Sequence, residues 1–60
     1  MNVIKIEHEK GITLKHLRYF VDSCKDLPDD TVVLLDYNDL NDSTCREIQG
    51  DEDSIVFYNW

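Results

Sequence analysis

Residues 12–37 read ITLKHLRYFVDSCKDLPDDTVVLLDY, and this stretch decides the fold. Thr13 is placed to cap a helix, because its hydroxyl can accept from a first-turn amide that has no partner inside the helix. Ile12 and Leu17 stand at the spacing of a hydrophobic staple across that start. His16 holds the third helical position, where a capping box carries Glu or Gln, so the box is expected to be incomplete. Leu14, Leu17, Phe20 or Val21, and Cys24 recur at three- and four-residue intervals and predict an apolar helical face. Lys15, Arg18, Asp22 and Lys25 fall on the other face, with Arg18 and Asp22 four apart and able to pair weakly. Pro28 is expected to end the helix, since a proline pushes the residue before it out of the helical region. Thr31–Tyr37 follows as a strand, with Val33, Leu35 and Tyr37 on one face and Val32, Leu34 and Asp36 on the other.

The flanks complete the pattern. Residues 2–7 (NVIKIE) alternate as a first strand with Ile4 and Ile6 together, and HEKG then turns the chain at Gly11. A strand, a helix and a strand in succession favour a right-handed crossover between parallel strands. Residues 38–42 (NDLND) are a loop by composition. The runs TCREIQ and SIVFYN, on either side of GDED, predict a hairpin with a glycine-containing turn. In the last strand Ile55 and Phe57 share one face, and Val56, Tyr58 and Trp60 the other. The fold class expected is α+β, one helix on a small mixed sheet in the order βαβββ, as a single domain over residues 1–60. One helix covers one sheet face. The opposite face, with Val32, Leu34, Val56, Tyr58 and Trp60, is then expected to be an apolar patch of the kind that marks an interaction site.

The pattern L-x-x-L…L-P-D-D-x-V-V, carried by Leu14, Leu17, Leu27, Pro28, Asp29, Asp30, Val32 and Val33, resembles a group of short, mostly uncharacterised phage and bacterial proteins. Their shared features are an amphipathic helix, a Leu-Pro-x-Asp turn and a valine-rich strand. The resemblance covers residues 12–37, implies a phage or bacterial origin, and hands over no catalytic residue.

Sixty residues are close to the lower limit for a domain that folds without a staple or a partner. No apolar run reaches membrane-spanning length, and no basic-then-apolar leader is visible, so the expectation is a cytoplasmic protein with no membrane contact. Cys24 and Cys45 fit neither a disulfide framework nor a paired zinc motif; reduced thiols are expected, with a Cys24–Cys45 bridge as the alternative in an oxidising medium. Cys45 lies beside Arg46 but has no histidine near it in sequence, and His8 and His16 read as surface residues, so no nucleophile, base and orienting group come together. Asp36, Asn38 and Glu47 match three calcium-loop positions. Leu40 and Asn41 occupy the next two positions wrongly, and no helix pair flanks the run. With Gly11 and Gly50 the only glycines, no phosphate loop exists. No enzyme activity, cofactor or metal is expected.

Charge is the strongest compositional signal. Thirteen acids face six bases, for a net charge of −7. Residues 1–25 carry five bases against three acids, a balance of +2, whereas residues 26–60 carry Arg46 against ten acids, a balance of −9. This argues against direct nucleic-acid binding, whose affinity comes from cations on phosphates. Crowding acids into one half of a small domain costs stability through self-repulsion, and Asp26 at the helix C-terminus opposes the helix dipole. The expected partner is therefore a basic host protein, one that itself binds nucleic acid, held and inhibited by an acidic face that imitates DNA. The residues expected to make that contact are Asp29, Asp30, Asp36, Asp39, Asp42, Asp51, Glu52 and Asp53, with Tyr58 and Trp60 as apolar anchors. The alternative is a structural module that forms a homodimer through its second sheet face.

Overall fold

A computed structural model describes residues 3–37 and 41–60. Strand β1 spans Ile4–Glu7, helix α1 Leu14–Ser23, β2 Val32–Tyr37, β3 Glu47–Gly50 and β4 Ser54–Asn59. The class is α+β and the order βαβββ, as the sequence predicts. Strand β1 is shorter than its alternating run, and Lys5 and Glu7 on its outer face pair at 3.7 Å. The chain then turns at Gly11, whose φ of 116° favours glycine and whose Cβ position lies 2.6 Å from Thr44 Cγ2.

Helix α1 starts as expected, with one correction. Thr13 is extended and its hydroxyl accepts from the His16 amide at 3.5 Å. His16 Nδ1 in turn accepts from the Thr13 amide at 3.0 Å, so the capping box is complete, with an imidazole nitrogen in the place of a carboxylate. The His16 ring rests against His8, centroids 4.9 Å apart. The far end is also corrected. The helix stops at Ser23, well before Pro28, with Cys24 as its cap donating to Phe20 and Val21 carbonyls. Ser23 Oγ donates back to the Tyr19 carbonyl at 2.9 Å, a bond that weakens a helix locally, and no cation sits in the last turn to complement the dipole. Arg18 and Asp22 form no ion pair; those among the described residues are Lys5–Glu7 and Asp42–Arg46.

The four strands lie in the order β1-β3-β4-β2. Strands β1/β3 and β3/β4 are antiparallel and β4/β2 parallel, so β1 and β2 run the same way at opposite edges. The register sets two faces. Ile4, Gly50, Ile55 and Val33 form one cross-strand row and Ile6, Ile48, Phe57 and Leu35 the next on the same side. Lys5, Gln49, Val56 and Leu34, then Glu7, Glu47, Tyr58 and Asp36, line the other side.

The helix lies on the first face. A Cβ on Gly50 would stand 2.8 Å from Phe20 Cζ, so the Phe20 ring sits directly over β3. Among the described residues Phe20 and Ile48 are the fully buried apolar side chains, at 1% and 0% exposure. At 100° per residue, Leu14, Leu17 and Val21 lie 60–120° to one side of Phe20, and Ser23 lies on the other. Ser23 shares a hollow with Ile4 of edge strand β1, so the leucine–valine flank looks away from β1, toward β4 and β2. That corrects two expectations. The helix covers β1 and β3 rather than a whole sheet face, because a body about 10 Å wide spans about two strands spaced ~4.8 Å apart. Of the predicted apolar helix face, Phe20 is buried, Leu17 and Cys24 are half-buried, and Leu14 and Val21 remain exposed.

Candidate functional site

Strand β2 is the sheet edge that nothing covers among the described residues. All six of its residues are exposed, the five hydrophobic ones from Leu34 at 47% to Leu35 at 64%. On the helix side, Val33, Leu35 and Tyr37 continue the row of half-buried Ile55 and Phe57 into solvent, facing the flank of α1 that carries Leu14 and Val21. On the opposite side Val32 and Leu34 are bare, Val56 and Tyr58 half-buried, and Trp60 44% exposed, which is the patch the sequence predicts. The uncovered apolar surface thus wraps both faces of one strand, a wider exposure than the single face expected. Toward the far end of β2, Leu35, Tyr37, Phe57 and Cys45 enclose a hollow of about 150 Å³.

The predicted acidic residues divide into two groups. Asp29 and Asp30 form the turn before β2, where the Thr31 amide donates to the Pro28 carbonyl. Val32 pairs with Ser54, so this turn stands at the same end of the sheet as the Asp51–Glu52–Asp53 turn. Asp26 and Glu52 meet there around one hollow with Leu27 and Pro28. None of these carboxylates has an ion-pair partner among the described residues. Asp36 sits toward the opposite end, exposed, in register with Tyr58. Asp39 lies outside the described residues, as do Asn38 and Leu40 of the calcium-loop-like run.

Two of the predicted contact residues are bound internally. The Asp42 carboxylate accepts from the Thr44 amide at 2.9 Å and from the Arg46 guanidinium, and bonding to the Thr44 side chain first, then to Arg46 and the Thr44 amide, holds its carboxyl far below the usual carboxylate range. Asp51 Oδ1 accepts from the amides of Asp53 and Ser54 at 2.8 and 3.0 Å, closing the hairpin turn. Arg46 also donates to the Glu9 carbonyl and to the main-chain oxygen of Trp60 at 3.0 and 3.1 Å. The one base of the acidic half is therefore a clamp between three segments.

Trp60 is likewise tied, its indole N–H donating to Glu47 Oε1 at 2.9 Å, while Gln49 donates to the other oxygen of the same carboxylate. Glu47 is 8% exposed, and the sequence marked it only as a calcium-loop position and not as a partner of Trp60. Its signal was available, since Glu47 and Gln49 alternate with Ile48 and so share a face with Trp60. The cysteines are not bridged. Cys24 donates to the Val21 carbonyl, and burial raises its thiol pKa above the usual value. Cys45 donates to the Glu47 carbonyl at 3.5 Å. No three His, Cys, Asp or Glu side chains converge as metal ligands among the described residues, and no helix there is long and apolar enough to cross a membrane.

The chemistry of this arrangement is apolar contact and negative charge. It offers a bare apolar strand with carboxylates before it and within it. Comparison of the chain with protein-family models, curated proteins and solved structures finds no match to any of them.

Proposed function

We propose that this chain is a non-catalytic binding protein that engages and blocks a basic partner, a host protein whose own surface is built to hold nucleic acid. The observation that carries the proposal is the group of carboxylates without an ion-pair partner among the described residues, Asp26, Asp29, Asp30, Glu52 and Asp53, at the end of the sheet where β2 begins. Unpaired like charges repel one another, and a cationic surface relieves that repulsion on contact. Asp36 extends the acidic surface along β2. Asp42 and Asp51 leave the set of contact residues, because their oxygens already serve the fold.

The test is capture from a bacterial lysate on immobilised protein, with stepwise salt elution, followed by a DNA- or RNA-binding assay on each captured protein. The expected result is release at moderate salt and loss of nucleic-acid binding when the acidic protein is added. The triple variant Asp29→Lys, Asp30→Lys, Asp36→Lys, with an unchanged circular dichroism spectrum, loses the capture. Equal capture by the variant removes the acidic surface from the mechanism.

The second reading is self-association, and exposed Val32, Leu34 and Trp60 on one sheet face favour it. Sedimentation then shows a dimer that salt does not dissociate and that Val56→Asp converts to monomer. A monomer at every concentration excludes it.

A further inference from the structure

We propose that the outer edge of β2 is a strand-addition site, which accepts an extended segment of the partner with an apolar centre and a Lys or Arg at each end. The inference rests on the proposal of a basic partner and specifies how that partner is held. Edge strands expose a row of unpaired N–H and C=O groups, and stable proteins keep such edges short, charged or covered. The other edge, β1, follows that rule: it has four residues, its Lys5–Glu7 pair faces outward, and α1 lies over it. Strand β2 does not. It has six residues, begins with four aliphatic side chains, and among the described residues no strand pairs with its outer side and no helix lies over it. A ladder of main-chain bonds along this edge would join the outward-turned half of its amides and carbonyls to an incoming strand, whose side chains would cover Val33 and Leu35 on one face and Val32 and Leu34 on the other.

Charge selects the occupant. Asp29 and Asp30 precede the strand and Asp36 stands near its end, all exposed. A second copy brings its own net charge of −7 to the same edge. Parallel pairing in register sets Asp36 against Asp36, whereas antiparallel pairing along the full strand sets Asp36 of each opposite Val33 of the other. Like charges opposed across a ladder destabilise it. The same carboxylates favour a strand with cations about six residues apart, roughly 20 Å in extended chain, and apolar or β-branched residues between them. The acids thus favour a basic segment over a second acidic chain.

The experiment titrates the full chain into a fluorescein-labelled seven-residue peptide with lysine at both ends and alternating valine and threonine between, at low and moderate salt. Amide exchange of the protein is followed by NMR in parallel. The expected result is salt-sensitive binding, with the outward amides within Val32–Tyr37 exchanging about tenfold more slowly. Asp30→Lys with Asp36→Lys weakens binding about tenfold, and a peptide with glutamate ends recovers it on that variant. A peptide N-methylated at alternate residues cannot complete the ladder and does not bind. Equal binding of the methylated peptide, or binding without protection of β2, overturns the strand-addition site and leaves the broader proposal of a basic partner standing. So does a peptide that turns helical on binding, which places it in the trough beside α1. β2 amides already protected in a peptide-free dimer also overturn the site, because a second copy then fills the edge. Failure of both the peptide and the lysate capture removes both proposals.

Discussion

Gly50→Ala is the sharpest probe of where the helix sits. The added methyl would lie 2.8 Å from Phe20 Cζ and 3.5 Å from Ile55 Cγ1. Ordinary carbon contacts fall at about 3.5–4.0 Å, so the Phe20 ring must retreat by roughly 0.7 Å or more. It has little room to do so, being 1% exposed and fixed to a helix whose start is held by the reciprocal Thr13–His16 cap. Overpacking of this kind costs about 1–3 kcal/mol. A chain of this length is expected to have roughly 3–9 kcal/mol of stability, so the loss is a large share. In thermal unfolding followed by circular dichroism, 2 kcal/mol corresponds to a fall in Tm of about 8–16 °C. The second half of the test is Phe20→Leu, which alone leaves a void and costs about 1–2 kcal/mol. Combined with Gly50→Ala the methyl occupies that void, so the double variant is more stable than the sum of the two losses by at least 1 kcal/mol. An unchanged Tm for Gly50→Ala, or strictly additive losses, would show that Phe20 is not over β3. The exposure of β2 derived from that placement would then fail with it.

Two further outcomes follow from the site. Asp42 has its carboxyl pKa lowered in the folded state by the Thr44 and Arg46 bonds, so its contribution is fully present above the ordinary carboxyl range near pH ~4 and is lost as pH falls below it; Asp42→Asn flattens that acid limb in a pH series of urea midpoints, and an unaltered acid limb contradicts the assignment. Thr31 Oγ1 is buried without a hydrogen-bond partner among the described residues, so Thr31→Val, which keeps the shape and removes the unsatisfied hydroxyl, raises stability by about 1 kcal/mol in urea unfolding.

Much of the architecture was legible because periodicity and punctuation agreed. Thr13, the three- and four-residue spacing to Cys24, Pro28 and the aliphatic run after it read as helix, turn and strand, and the glycine-containing turn before Ser54 fixed the hairpin. The face assignments of β2 and β4 also held, since a period of two leaves no freedom once the strands exist. The misses have local causes. His16 completed the cap because an imidazole nitrogen accepts a hydrogen bond as a carboxylate does, a substitution the usual Glu or Gln signature does not include. The early end of α1 at Ser23 depended on a side-chain bond to Tyr19 that no periodic pattern encodes. The candidate site was half legible. Asp29, Asp30 and Asp36 lie where the charge pattern put them, but composition could not distinguish a solvated carboxylate from one bound to a nearby amide, as Asp42 and Asp51 are. The bareness of β2 on both sides was not legible at all, because it depends on a strand order that carries β2 to the edge away from α1.

The half-covered sheet has a calorimetric consequence. The heat capacity of unfolding follows the apolar surface that unfolding newly exposes, and an ordinary chain of this length would give about 0.7–0.9 kcal/mol/K. Here Val32, Val33, Leu34 and Leu35 already meet water in the native state, and the fully buried apolar side chains of the described residues are Phe20 and Ile48. The increment is therefore smaller, and the curve of stability against temperature is broad and shallow. When β2 is covered, the missing heat capacity reappears as a negative change on binding, so the free protein and its complex together carry the signature that a self-sufficient domain would carry alone.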